Sequence, residues 1–89
     1  MLDAGAVEVI LKGGKSLLPI GVLSCAGQFR RGEIVSCINE SGQEIARGLV
    51  NYDQEDAKKI VRLPSENIIE VLGFSHAPEL IHRDNLVLV

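Results

Sequence analysis

The spacing of apolar residues along this chain of 89 residues predicts a helix, a run of strands, two short helices and a last strand. The apolar positions of the first segment recur at helical spacing on one face: Ala6, Val7, Ile10 and Leu11. Asp3 precedes them as an N-cap, and Leu2 is placed to pack on Val7. Gly13-Gly14 supplies the left-handed residue that ends many helices. The chain is therefore expected to begin with a capped amphipathic helix.

Apolar runs that contain single glycines predict strands in the next segment. Residues 14–22 and 45–52 are two such runs, and residues 32–38 with the turn at 39–42 complete a hairpin. A glycine inside a strand marks a bulge, a barrel corner or a place where another backbone comes close. Because this feature recurs in the three runs, the sequence predicts a small, strongly curved barrel.

The apolar pattern returns to helical spacing after Tyr52. Asp53 is expected to cap a helix over residues 54–62, and Ser65 is expected to cap a third helix that ends at Gly73. The inner positions of the first of these helices are Ala57, Ile60 and Val61. Those of the second are Ile68, Ile69 and Leu72.

A last strand over residues 86–89 is predicted to place its apolar side chains in the core. Residues 82–84 before it are predicted to form a turn in which Asp84 accepts nearby backbone N–H groups. Short helices at the N-terminus and before the last strands predict an α+β fold, a mixed-sheet pseudo-barrel. No Pro- or Ser-rich linker and no repeat divides the chain, so residues 1–89 are expected to form one domain.

Composition and charge narrow the classes of partner. The net charge is −3, and the three aromatic residues are too few for a surface on which RNA bases stack. The stretch between Glu8 and Glu33 has no acidic residue and contains four basic ones: Lys12, Lys15, Arg30 and Arg31. A local basic patch for RNA phosphates therefore stays open, beside the alternative that these are ordinary solvated charges.

The cysteine and histidine positions fit no metal site. Cys25 and Cys37 are the only cysteines, and neither His76 nor His82 stands in a zinc spacing with them. Free thiols of a reduced cytoplasmic protein are predicted, with a disulfide between strands as the alternative. The longest apolar stretch, residues 16–27, falls short of the roughly 20 residues that a membrane-spanning helix needs. Neither a membrane segment nor a secretory leader is predicted.

Two short motifs resemble phosphate-handling loops but fail on spacing. Gly14-Lys15-Ser16 is similar to the end of a P-loop, yet the first glycine of that pattern is replaced by Val9. His82-Arg83-Asp84-Asn85 is similar to the catalytic loop of protein kinases, yet Val89 stands where that loop has its Mg²⁺-binding Asn. No catalytic residue and no metal ligand is therefore predicted in this chain.

Four stretches together carry a resemblance to a known family. They are residues 14–22, the turn Phe29-x-Arg31-Gly32-Glu33, residues 45–52 and residues 81–88. They resemble the PUA domain family, and most of all the C-terminal PUA domains of bacterial glutamate 5-kinases, over almost the whole chain. The resemblance implies a PUA-like pseudo-barrel with a regulatory or structural role. Its parent enzyme would phosphorylate glutamate with ATP and Mg²⁺ in the first step of proline biosynthesis.

The resemblance leaves two functions to distinguish. As an accessory domain, the chain would have as its partner the amino-acid kinase domain of the same parent chain, which these 89 residues do not include, and a homo-oligomer stays open. The alternative is an RNA-binding PUA module of an RNA-modification protein. In RNA-binding PUA domains the first helix and the glycine loop after it line the RNA-binding groove. The resemblance places Lys12 and Lys15 at the matching positions of this chain. We expect weak RNA binding by these two lysines together with Arg30 and Arg31. The first function needs surfaces shaped for another protein domain, and the second needs a continuous basic groove.

Overall fold

The computed structural model describes residues 1–89 as three α-helices and one three-stranded antiparallel sheet. The elements are α1 (Ala4–Gly13), β1 (Ile34–Ile38), β2 (Glu44–Leu49), α2 (Gln54–Ile60), α3 (Ile68–Leu72) and β3 (Leu86–Leu88). The sheet has the order β1-β2-β3. Short 3₁₀ turns lie at Pro19–Gly21, Ser65–Asn67 and Arg83–Asn85. The predicted α+β class, with short helices at the N-terminus and before the last strand, is confirmed.

Helix α1 has the predicted start and end. The Asp3 carboxylate accepts the backbone N–H of Ala6 at 2.7 Å, and Gly14 ends the helix with a φ of 58°. Ile10 is buried, but Leu11, predicted on the same face, is 47% exposed. The buried stripe of α1 is therefore narrower than its apolar pattern.

Residues 14–22 do not form the predicted strand. Within this segment Leu17 and Val22 form isolated bridges to Ile81 and Leu2, and Pro19–Gly21 is a 3₁₀ turn. Pro19 has no backbone N–H to donate to a neighbouring strand, which disfavours a continuous ladder here. Gly21 packs against α1, where an added Cβ would lie 2.6 Å from the Cβ of Ala6. This glycine marks a close approach, but to a helix.

Strands β1 and β2 form the predicted hairpin, although β2 is shorter than predicted. The register is regular up to Cys37 opposite Ala46 and then shifts, so that Ile38 lies opposite Glu44. The residue left over, Ile45, is buried like its neighbour Ala46. Two successive buried side chains are expected where a bulge turns both to one side of the sheet. The hairpin therefore contains a bulge next to the turn, and not at the strand glycine Gly48.

The hairpin turn is held by an asparagine side chain. Oδ1 of Asn39 accepts the backbone N–H groups of Ser41 and Gln43 at 3.0 and 2.9 Å. Gly42 completes the turn with a φ of 83°, a value that glycine adopts without strain. The prediction of a turn at residues 39–42 is confirmed.

Gly48 lies where β2 and the segment before β3 approach each other closely. A Cβ at this position would lie 2.6 Å from Cγ2 of Ile81 and 2.7 Å from the backbone oxygen of Asn85. Gly48 also stands opposite Leu86, where β3 begins. The predicted role of a strand glycine as a site of close backbone approach is confirmed here.

The prediction that residues 86–89 fill the core is wrong. Leu86 is half-buried, whereas Val87, Leu88 and Val89 are 67%, 51% and 69% exposed. Strand β3 lies at the edge of the sheet and pairs only with β2, so one side of it has no neighbour. Its apolar residues remain on the surface of these 89 residues.

Helix α2 is shorter than predicted and does not reach Arg62. Helix α2 stops at Ile60, and Arg62 has a φ of 66°, outside the helical region. Its guanidinium donates to the Asp3 carboxylate and, at 2.8 Å, to the backbone oxygen of Ile20. The N–H of Ala6 and then the Arg62 guanidinium lower the pKa of Asp3. These contacts connect the start of α1 to the end of α2.

Helix α3 keeps its predicted end and loses its predicted cap. Gly73 ends it with a φ of 81°. Ser65 opens a 3₁₀ turn, and its hydroxyl donates to the backbone oxygen of Pro78 at 2.7 Å. The predicted cap of α2 is also missing: Asp53 stands at the N-cap position, but its side chain makes no capping hydrogen bond. Ile69, predicted to face inward, is 62% exposed, so the inward stripe of α3 is also narrower than predicted.

The predicted turn before β3 forms, but with a different acceptor. The backbone N–H of Asp84 donates to Nδ1 of His82 at 3.1 Å. The Asp84 carboxylate lies 3.6 Å from the same nitrogen and accepts no backbone N–H. The prediction that the Asp84 carboxylate is the acceptor is therefore wrong, because Nδ1 of His82 accepts the backbone N–H in this turn.

Tyr52 is the one aromatic residue in an otherwise aliphatic core. Its ring is fully buried, and its hydroxyl accepts the backbone N–H groups of His76 and Ala77 at 3.2 and 3.1 Å and donates to the oxygen of Ala77. These bonds attach the segment after α3 to the core.

None of the helices has the length and the apolar character that crossing a bilayer requires.

Candidate functional site

The four basic residues predicted as RNA contacts occupy two regions of the surface. Lys12 stands in the last turn of α1 and Lys15 two residues after its end, whereas Arg30 and Arg31 lie in the loop before β1. Lys12, Lys15 and Arg30 line three different surface depressions. The members of each pair are close in sequence, but none of these depressions contains residues of both pairs.

Carboxylates accompany the two arginines. The backbone N–H of Arg30 donates to Glu33 at 2.6 Å, and that of Arg31 donates to Asp53 at 2.7 Å. Glu33, Asp53 and Glu55 also line the depression beside Arg30. This local negative charge opposes a phosphate at the arginine pair.

Lys12 is also close to acidic side chains. Its Nζ lies 3.3 Å from a carboxylate oxygen of Glu8, one turn earlier on α1, and both side chains are exposed. Glu40, in the hairpin turn, lines the same depression. The charge of Lys12 is therefore partly balanced on its own surface.

Lys15 lies in a cleft that has a second cation and no carboxylate. This cleft of about 110 Å³ is lined by Lys15 and Arg83 and by four apolar side chains: Ile10, Leu11, Leu86 and Leu88. The backbone N–H of Arg83 donates to Oγ of Ser16 at 2.8 Å, which joins the two basic segments. The position of Arg83 beside Lys15 was not predicted from the sequence. It depends on the bridge between Leu17 and Ile81, which joins segments that are distant in sequence.

A larger apolar depression, which we call the N-terminal groove, opens beside the first residue. It has a volume of about 290 Å³ and is lined mainly by Met1, residues 25–29 and β1 residues Ile34 to Cys37. Thirteen of its 17 lining residues are hydrophobic. Such a surface suits aliphatic side chains rather than a charged ligand.

Both cysteines are free thiols and line the N-terminal groove. Burial raises the pKa of the Cys37 thiol to about 11 and also raises that of Cys25. A thiol must lose its proton to act as a nucleophile, so neither cysteine is activated at neutral pH. Cys25 is half-buried and lies outside any strand.

The carboxylate with the largest pKa change lies on the outer face of the sheet. Two nitrogens of Arg47 donate to Glu44 at 2.8 and 2.9 Å, and the Ser36 hydroxyl donates to it at 2.6 Å. The Arg47 guanidinium and then the Ser36 hydroxyl lower the pKa of Glu44 to about 2. This carboxylate is ionised throughout the neutral range, so it is not suited to general acid catalysis.

Two features that would bind a metal ion or a nucleotide phosphate, a metal-ligand cluster and a P-loop, are not found in this chain. No group of three or more His, Cys, Asp or Glu side chains could hold a metal. Gly14-Lys15-Ser16 follows the C-terminus of α1, whereas a P-loop places its backbone N–H groups at a helix N-terminus.

Sequence comparisons give relatives that extend over the whole chain. The sequence profile of the PUA domain matches residues 1–72. The chain is 57% identical over 89 residues to a glutamate 5-kinase of Burkholderia thailandensis and 55% identical to one of Methylobacillus flagellatus. It is 58% identical over 88 residues to a glutamate 5-kinase of Methylococcus capsulatus. Each match includes 99 to 100% of this chain and 24% of the relative. It lies in the relative's C-terminal region.

A solved structure shares the fold. A PUA domain from Aeropyrum pernix, crystallised as a tartrate complex, matches with a TM-score of 0.62 over 91% of this chain and 39% of that chain. Its sequence identity of 21% supports a shared architecture and nothing more specific.

Proposed function

This chain belongs to the PUA domain family, and we propose that it is the C-terminal accessory domain of a glutamate 5-kinase. The observation that carries the proposal is a match over the full 89 residues to the C-terminal region of glutamate 5-kinases at 55 to 58% identity. The chain spans about a quarter of the length of these relatives. In this proposal the domain has a regulatory or structural role and the chemistry belongs to the rest of the parent chain.

The proposed parent supplies the remaining partners and cofactors. An amino-acid kinase domain of the same chain would be the main partner and would bind ATP and Mg²⁺ outside these residues. The two free thiols suit a reduced cytoplasmic setting. A homo-oligomer of the parent chain is part of the same proposal.

The isolated chain is expected to release no ADP from ATP. The reason is that residues 1–89 have no metal-holding cluster and no phosphate-cradling helix start. Purified chain is incubated with glutamate, ATP and Mg²⁺, and ADP is measured against a no-protein control. ADP release above that control, abolished by a substitution within the chain, would sink the proposal that catalysis lies elsewhere.

Lys12, Lys15, Arg30 and Arg31 remain our proposal for RNA contacts, secondary to the kinase role. Because Lys15 and Arg30 line different depressions, one RNA is expected to reach about two of these cations, with log affinity falling against log salt at a slope between about −1.4 and −1.8. A labelled RNA hairpin is titrated at several salt concentrations. K12A/K15A is expected to weaken binding more than R30A/R31A, which lies among carboxylates. No saturable binding by the unchanged chain would remove these residues as an RNA site.

A further inference from the structure

We infer that copies of this chain contact each other through oppositely charged surfaces, with Ile69 of one copy inserted into the cleft beside Lys15 of the next. This cleft is called the basic cleft, and its lining side chains are Lys15, Arg83, Ile10, Leu11, Leu86 and Leu88. The surface that enters it is called the acidic face and consists of Glu66, Ile69 and Glu70. The inference deepens the proposed function and rests on it, because it gives a surface to the homo-oligomer expected there.

The first observation is that the two cations of the basic cleft have no carboxylate partner. Neither Lys15 nor Arg83 forms an ion pair, whereas Lys12, Arg47 and Arg62 each pair with a carboxylate of this chain. No carboxylate lines the cleft. Two uncompensated positive charges in one concave site attract an anionic partner.

The second observation is that the centre of the basic cleft is apolar and open. Leu11 and Leu88 line it and remain 47% and 51% exposed, beside the half-buried Leu86. Its volume of about 110 Å³ is smaller than the roughly 150 Å³ of a cavity that encloses benzene, so it has room for one aliphatic side chain. The partner that fits presents one aliphatic side chain between anionic groups.

The third observation is that this chain carries such a group itself. Glu66, Ile69 and Glu70 are spaced as i, i+3 and i+4 along the 3₁₀ turn Ser65–Asn67 and the helix α3 that follows it, so they share one side of this helical stretch. All three are exposed, and Ile69 is 62% exposed. Neither glutamate forms an ion pair. The acidic face is therefore convex, apolar at its centre and uncompensated in charge, which complements the basic cleft.

One copy cannot bring these two surfaces together. α3 packs against α2, whereas the basic cleft is formed by α1, Lys15 and residues 83–88. Each copy carries both halves, so the contact joins different surfaces of successive copies. A contact centred on one side chain is smaller than the roughly 800 Å² per partner of a standard interface, so separate chains are expected to associate weakly. Assembly of the parent chain would raise the effective concentration of the two surfaces.

The test reverses the charge of each surface in turn. K15E/R83E makes the cleft acidic, and E66K/E70K makes the face of α3 basic. Either variant alone places like charges across the contact. An equal mixture of the two variants offers opposite charges at every junction between unlike copies. Association is measured by sedimentation velocity over a range of chain concentrations at low salt, and circular dichroism confirms that each variant is folded.

Two matched variants serve as controls. R30E/R31E changes the net charge by the same amount as K15E/R83E, but in the loop before β1. Val71→Ala truncates an exposed aliphatic side chain of α3 next to the acidic face and is compared with Ile69→Ala. The comparisons separate the proposed contact from a general effect of charge or of exposed apolar surface.

We expect the unchanged chain to associate as its concentration rises and to dissociate as salt screens the charges. K15E/R83E, E66K/E70K and Ile69→Ala are each expected to lower the association constant at least about tenfold, which corresponds to about 1.4 kcal/mol. The mixture of the two charge variants is expected to associate again, and both controls are expected to behave like the unchanged chain.

Three results would overturn the inference. The first is an unchanged chain that stays monomeric up to the millimolar range that linked domains experience. The second is a mixture of the charge variants that associates no more than either variant alone. The third is a loss of association in the controls equal to that in the variants of the contact. None of these readouts depends on kinase activity, so a failure here is distinguishable from a failure of the proposed function.

Discussion

Replacement of Tyr52 by alanine is expected to lower the free energy of unfolding by about 3–5 kcal/mol, as for other buried aromatic residues. The ring is fully buried, and its hydroxyl bonds hold the segment at His76 and Ala77. Small domains are stable by roughly 5–15 kcal/mol, so this loss removes much of the total. Urea unfolding followed by circular dichroism measures it.

The control for this prediction is Tyr52→Phe. It keeps the ring and leaves the N–H groups of His76 and Ala77 without their acceptor, which is expected to cost about 1–3 kcal/mol. The expected loss for Tyr52→Ala is about 3–5 kcal/mol. If its free energy of unfolding instead lies within about 1 kcal/mol of that of the unchanged chain, the described core is wrong.

Gly48→Ala is expected to destabilise the domain by about 1–3 kcal/mol, the usual cost of forcing extra atoms into a packed site. The new methyl would meet the Ile81 side chain at 2.6 Å and the backbone oxygen of Asn85 at 2.7 Å. A backbone atom cannot move aside as a flexible side chain does, so the segment leading into β3 must shift. The free energy of unfolding and the amide exchange of β3 report the change.

Gly5→Ala is the matched control for this prediction. Gly5 lies in α1, and its added Cβ would have only an ordinary contact, 3.5 Å from Oδ1 of Asp3. Alanine in a helix is favoured over glycine by roughly 0.5–1 kcal/mol, so this variant is expected to be more stable than the unchanged chain. If both glycine variants shift stability in the same direction, the close approach at Gly48 does not hold β3 in place.

Elements whose signals lie within a few residues were predictable from the sequence. The Asp3 cap, the Asn39 turn and the glycine ends of α1 and α3 each depend on one side chain or one left-handed residue beside the element. The hairpin followed from the same local signals, because its two strands are adjacent in sequence and joined by a short turn.

Elements that depend on distant partners were not predictable in this way. Residues 14–22 have an apolar pattern that suits a strand, but Pro19 and the packing of Gly21 on α1 leave only two isolated bridging residues, Leu17 and Val22. Residues 86–89 are as apolar as a core strand, yet β3 lies at the sheet edge. Nothing in the local pattern distinguishes an edge strand from a central one.

The candidate sites show the same division. The basic residues themselves are visible in the sequence, but the carboxylates beside Arg30 and the pairing of Lys15 with Arg83 arise from contacts between remote segments. The N-terminal groove likewise depends on the bridge between Leu2 and Val22, which brings Met1 beside β1. Such sites require the fold before they can be recognised.

The central claim, that this chain is an accessory domain of a glutamate 5-kinase, is tested most directly in a chimera. The chain replaces the corresponding C-terminal quarter of the Burkholderia thailandensis glutamate 5-kinase, to which it is 57% identical. The control chimera carries the Aeropyrum pernix PUA domain, which is 21% identical to this chain, in the same place. ADP release with glutamate, ATP and Mg²⁺ is measured together with thermal unfolding.

We expect the first chimera to release ADP within about threefold of the unchanged relative, a difference below 1 kcal/mol in activation free energy, and to unfold in one transition. One transition is expected because shared contact residues couple the domain to the kinase portion. The control chimera is expected to unfold in two transitions, with its foreign domain uncoupled. If the chimera with this chain also unfolds in two transitions, like the control, the domain does not fit a glutamate 5-kinase and the central claim is contradicted.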